Sequence, residues 1–127
     1  MKIAVTKEAL LEGLQRIQNV VSTRPTLPVL TNVLLEADES GVQLTTTDLE
    51  VGIRCRIEAR VEKPGATTLP ARKLVSIIRE LPSSEITIDV DSKNIASIRC
   101  GSSFFKIYGL PREEFPAFPV FTEPKSL

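Results

Sequence analysis

Arg72, Lys73 and Arg79 lie within Ala71–Leu81, a stretch whose apolar residues recur at helical spacing. At about 100° per residue, Arg72, Ser76 and Arg79 fall in one narrow arc, with Lys73 and Glu80 beside it and Leu74, Val75, Ile78 and Leu81 opposite. Three cations against one anion give this stretch a net charge of +2, although the whole chain has 16 basic and 16 acidic side chains. Guanidinium and ammonium groups spaced about a turn apart suit phosphate oxygens, and the small Ser76 lets a backbone approach closely. Contacts of this kind position a protein on DNA without reading its sequence. Taken alone, the arc also matches an ordinary solvated helix face. The contrast with a neutral chain turns it toward something negative, DNA first. Elsewhere in the chain, Arg24 projects from a loop stiffened by Pro25 and Pro28.

Bond-making chemistry finds little support. The chain has no histidine, which removes the usual general base and the Ser-His-Asp arrangement. Two cysteines, Cys55 and Cys100, without a histidine do not make a structural metal site. Neither G-x-x-x-x-G-K-[ST] nor G-x-G-x-x-G occurs, so no nucleotide loop is indicated. Asp89 and Asp91 are two apart on a strand pattern and read as carboxylates on a solvated face rather than a cation site. No catalytic residue, cofactor or metal is assigned. Arg54, Arg56 and Arg60 form a rival basic set, but Glu58 interrupts it and it reads as surface solubility.

The elements that position the arc repeat. Strand, helix and three strands run from Lys2 to Val61, and the same order runs again from Thr67 to Tyr108. The first helix is expected over residues 7–21, with Leu10, Leu14, Ile17 and Val21 on one face and mixed charge on the other. Strands are expected at 2–6, 29–37, 42–45, 67–69, 86–90, 95–100 and 103–108. The clearest is one continuous strand over Val51–Val61, apolar and polar in alternation. Pro70 fits the first turn of the second helix, which stops before Pro82. Phe105 and Ile107 share one face of the last strand, while Phe104 and Tyr108 make its other face apolar. An apolar strand with no follower is an edge that invites pairing with another chain, so both Phe105 and Ile107 are expected to be partly exposed.

The 127 residues fit one domain, with joined halves of about 1–62 and 63–127. No apolar run approaches the roughly 20 residues a membrane span needs. Met1–Thr6 reads as a strand, not a signal peptide, and the cysteine usage suits a reduced, cytoplasmic protein.

Four separated motifs resemble the first domain of the bacterial sliding clamp, the beta subunit of DNA polymerase III. They are Arg24-Pro25-Thr26-Leu27-Pro28-Val29-Leu30, Thr47-Asp48-Leu49-Glu50, the run from Pro64 to Lys73, and the run from Gly109 to Pro116. The resemblance covers nearly the whole chain in order. It implies an α+β DNA-clamp fold: a pseudo-twofold repeat with two helices packed on antiparallel sheets. It implies a ring of two crescent-shaped chains joined head to tail, each with three such domains, encircling double-stranded DNA and holding the replicative polymerase without covalent chemistry. Arg24 and Arg72 match positions that touch DNA in that family, with Lys73 and Arg79 beside them. Phe105 and Ile107 match the edge strand that meets the partner subunit, although Ser102, Ser103 and Phe104 stand where some members carry cations. This chain is about one domain long, so the contacts with polymerase and clamp loader are expected on domains it lacks. The alternatives are a stand-alone nucleic-acid-binding module and a structural assembly domain.

Overall fold

A computed structural model describes residues 1–17, 32–47 and 52–115. Among these described residues, nine strands and two α-helices follow in the order β1 (Lys2–Thr6), α1 (Lys7–Ile17), β2 (Asn32–Asp38), β3 (Gly41–Thr47), β4 (Gly52–Ile57), β5 (Arg60–Lys63), β6 (Gly65–Pro70), α2 (Ala71–Glu80), β7 (Glu85–Val90), β8 (Ile95–Cys100) and β9 (Ser103–Tyr108). A short 3₁₀ turn at Arg112–Glu114 follows.

The strands form two antiparallel sheets, ordered β5-β1-β7-β8-β9 and β4-β3-β2-β6. Each half lends its first strand to the other half's sheet. β1 pairs with β7, Ile3 opposite Ile88, and β6 pairs with β2, Leu69 opposite Val33. The repeat expected from element order is therefore real, and the halves are interlocked rather than merely adjacent.

Period-two burial builds the walls of the core. Ile3 and Val5 on β1, Val33 and Leu35 on β2, Val42 and Leu44 on β3, Ile86 and Ile88 on β7, and Ile98 on β8 face inward. Leu10, Leu14 and Ile17 of α1 and Leu74, Val75 and Ile78 of α2 join the same core. A fully buried aliphatic side chain contributes roughly 1.5–3 kcal/mol relative to exposure. One shared core thus couples both helices to both sheets. At Gly13 an added Cβ would lie 2.7 Å from Ile57 Cγ2 and 3.0 Å from Leu44 Cδ1, so glycine lets α1 sit close on β3 and β4. The β2–β3 hairpin turns through Glu39 and Ser40 into Gly41, whose φ of 137° favours glycine.

The expected single strand over Val51–Val61 is two strands in two sheets. β4 pairs with β3, the chain turns at Glu58–Ala59, and β5 pairs with β1. Alternation reports which side chains face the core, not which sheet encloses it. Both sheets wrap one core, so the pattern passes through the corner unbroken. α2 begins at Ala71 as expected, but Pro70 ends β6 and occupies the N-cap rather than the first turn. Residues 18–21 of the expected first helix and residues 29–31 of the expected second strand lie outside the described residues.

Candidate nucleic-acid interface

α2 is amphipathic as expected. Ala71, Leu74, Val75 and Ile78 are buried, while Arg72, Lys73, Ser76, Arg79 and Glu80 are exposed. Arg72, Lys73 and Arg79 thus share one solvent-facing side of one helix. Among the described residues none of the three forms an ion pair. Arg24 lies outside the described residues.

The rival cations are occupied. Arg56 bonds Asp38 at 2.5 Å and also donates to Ser40 Oγ at the β2–β3 turn. These bonds pull the Asp38 carboxyl down from 3.8 to about 2, the Arg56 hydrogen bond first and the Ser40 bonds next. Arg60 sits 3.5 Å from both Glu62 and Glu85. Arg112 reaches Glu36 at 3.2 Å. On α1, Arg16 pairs with Glu12 one turn earlier at 3.1 Å. Exposed pairs of this kind add little stability, with a median of about 0–1 kcal/mol. They nevertheless cancel the local field that a phosphate would feel. The Arg54/Arg56/Arg60 set is also divided between two sheets, because β4 and β5 part company after Ile57.

The end of α2 is tied to the start of α1. Lys7 Nζ donates to the carbonyls of Arg79 at 3.2 Å and Leu81 at 2.6 Å. The Lys7 amide donates to Ser84 O at 3.2 Å, and Ser83 Oγ donates to Glu8, whose carboxyl is held below its usual range chiefly by that bond. Sequence reasoning missed this junction. Its one signal was a lysine in the first turn of α1, where the helix dipole disfavours a cation.

Asp91 lies just beyond β7, which ends at Val90. Its Oδ1 accepts the amides of Lys93 at 2.8 Å and Ile95 at 3.0 Å, closing the β7–β8 turn and lowering its pKa through those bonds. Among the described residues no cluster suits a metal ion, and no helix is long and apolar enough to cross a membrane. Cys55 and Cys100 are unpaired thiols.

A second candidate surface is β9, which ends its sheet. Phe105 is 36% exposed, as expected of an edge, but Ile107 is only 1% exposed and belongs to the core. Both point to the same face. Phe105 lies nearer the hairpin end, opposite Ile98, while Ile107 pairs with buried Ala96 and is covered from inside. The outward face carries Phe104, 48% exposed, and Tyr108, 70% exposed. Arg99 stacks on the Phe104 ring at 4.7 Å, a cross-strand cation–π contact that the sequence pattern did not reveal.

Comparison with known proteins bears on the family and the fold. The family model of the DNA polymerase III beta subunit, N-terminal domain, matches residues 1–119. The beta sliding clamp of Escherichia coli (strain K12) is 40% identical over 118 residues, covering 91% of this chain and 32% of that protein. The beta sliding clamp of Chlamydia muridarum is 36% identical over 119 residues, covering 94% of this chain and 32% of that protein. This chain therefore spans about a third of the length of these relatives. Among solved structures, the DNA polymerase sliding clamp of Caulobacter crescentus superposes with a TM-score of 0.89 at 33% identity, over 94% of this chain and 33% of that one. A DNA polymerase III beta subunit structure from Eubacterium rectale gives 0.91 at 30% identity, over 96% of this chain and 33% of that one. The matched residues and the shared fold agree: the chain belongs to the family of the DNA polymerase III beta subunit N-terminal domain.

Proposed function

We propose that this chain serves as the first domain of a replication processivity clamp, a ring that encircles duplex DNA and tethers the replicative polymerase in the cytoplasm. The observation that carries this reading is the exposed side of α2, where Arg72, Lys73 and Arg79 are free of ion pairs among the described residues while Arg16, Arg56, Arg60 and Arg112 are each paired with a carboxylate. Free cations on a rigid helix meet phosphates without reading bases. A ring held by topology needs only such weak contacts, and overall neutrality then favours sliding over tight binding. Arg24, by its match to the family's motif, is proposed as a further DNA contact. The role is that of a non-catalytic accessory to a DNA-directed DNA polymerase, with no cofactor. Polymerase and clamp loader would bind parts of the full-length clamp outside the third that this chain spans.

The β9 edge supports a second part of the proposal, head-to-tail pairing of two full-length copies through the exposed Phe105, with Ile107 backing the strand from inside the core. Ile107 is a core residue of the chain itself, so Ile107→Asp would unfold the domain rather than report on pairing. Phe105→Asp is the cleaner variant and should shift the full-length dimer toward monomer in sedimentation. The ring itself is tested by retention of the full-length protein on circular and linear duplexes. A clamp stays on circles and runs off linear ends. Equal retention on both would favour a stand-alone nucleic-acid-binding module.

A further inference from the structure

Lys7 occupies an unfavourable position in its own helix. Thr6 caps α1, its Oγ1 accepting the Ala9 amide at 3.2 Å, so Lys7 is the first residue of α1, where the positive end of the dipole repels a cation. The side chain crosses instead to the negative end of α2. There it donates to Arg79 O and Leu81 O, carbonyls that the helix leaves without internal partners. Arg79 is thus held twice over. Its carbonyl accepts from Lys7, while its exposed side chain belongs to the cationic side of α2. Leu81 closes the helix by donating its amide to Ile78 O at 3.2 Å, and Pro82 prevents continuation. The contacts from Ser84 and Ser83 to Lys7 and Glu8 fix the same corner.

We propose that Lys7 is a positioning residue for the DNA contact: it straps the last turn of α2 and neutralises the negative pole beside Arg79. This inference rests on the reading that α2 faces DNA. Lys7 spends its donors on carbonyls and makes no phosphate contact itself. Its loss therefore loosens the end of α2 and weakens affinity without reducing the number of phosphates neutralised.

The test uses the 127-residue chain with short duplex DNA at low salt, in two measurements. Amide hydrogen exchange follows Ile78, Arg79 and Leu81, and fluorescence anisotropy follows affinity across several salt concentrations. Lys7→Met should speed exchange at these amides and weaken binding about two- to fivefold, the range of a cation lost from a helix C-terminus. The slope of log K against log salt should stay at the wild-type value. Arg79→Ala should instead flatten that slope by about 0.9, the signature of one lost phosphate contact. Lys7→Arg should recover affinity. Lys7→Gln keeps a donor but lacks the charge. It should weaken binding in the same direction, which covers a Met variant that fails to fold.

Unchanged exchange in Lys7→Met would overturn the strap whatever happens with DNA. Faster exchange with unchanged affinity would overturn the positioning role. A slope that falls by about 0.9 in Lys7→Met would make Lys7 a phosphate contact and also overturn the inference. If Arg79→Ala changes neither affinity nor slope, the DNA reading of α2 fails and the functional part of this inference fails with it.

Discussion

The two helices perform the same task on the inside of the molecule and opposite tasks on the outside. α1 buries Leu10, Gly13, Leu14 and Ile17; α2 buries Ala71, Leu74, Val75 and Ile78, and both stripes enter one core. On the exposed side α1 carries two cations and two anions, and its charges are consumed internally. Arg16 pairs with Glu12, and Lys7 is committed to the end of α2. α2 carries three cations and one anion, and its cations are unpaired among the described residues. What matters for attracting a polyanion is the charge left free, which a count of basic residues does not reveal.

The comparison breaks most severely if the inner stripes are not equivalent. Leu14→Ala and Leu74→Ala should each destabilise the chain by about 2–5 kcal/mol in urea unfolding, the usual cost of a buried cavity. A loss under about 1 kcal/mol at either site would mean that helix is not anchored in the shared core. The next effect separates the helices. Gly13→Ala should improve helix propensity, yet its Cβ would meet Ile57 Cγ2 at 2.7 Å, and overpacking costs about 1–3 kcal/mol. A net destabilisation shows that close approach governs α1. A stabilised variant would show that Ile57 gives way easily.

Much of this contrast was legible beforehand. The repeated element order, both apolar helix stripes and the cationic side of α2 follow from spacing alone, because burial imposes period 3.6 on helices and period two on strands. What spacing could not show was partnership. The corner at Glu58–Ala59 was invisible because alternation continues across it. The burial of Ile107 against the exposure of Phe105 depends on where along the edge the core ends, although the two residues share a face. Lys7 reads as one more surface charge until the fold brings α2's last carbonyls to it from 72 and 74 residues away. Tied and free cations differ by tertiary neighbours, which no local pattern encodes.

The smallest effect concerns a tied cation. Asp38, held near 2 by Arg56 and Ser40 against an ordinary 3.8, stabilises the fold at pH above 3.8. That contribution should fade as pH falls from 3.8 toward 2, because the unfolded chain takes up the proton first. The gap in urea midpoint between wild type and Asp38→Asn should accordingly narrow across this window, and a constant gap would contradict the linkage. Asp38→Asn also releases Arg56 on the sheet side. If α2 alone faces DNA, duplex affinity should not rise.

The central claim is that the free cations of α2, not the paired cations elsewhere, meet the phosphate backbone. The most direct measurement is a fluorescence-anisotropy salt titration of wild type, Arg72→Ala/Arg79→Ala and Arg16→Ala on two duplexes of unrelated sequence. The double variant should flatten the slope of log K against log salt by about 1.8, at about 0.9 per phosphate contact, equally on both duplexes. Arg16→Ala should leave the slope at the wild-type value. An unchanged slope in the double variant, a comparable loss in Arg16→Ala, or a marked preference for one duplex would contradict the account.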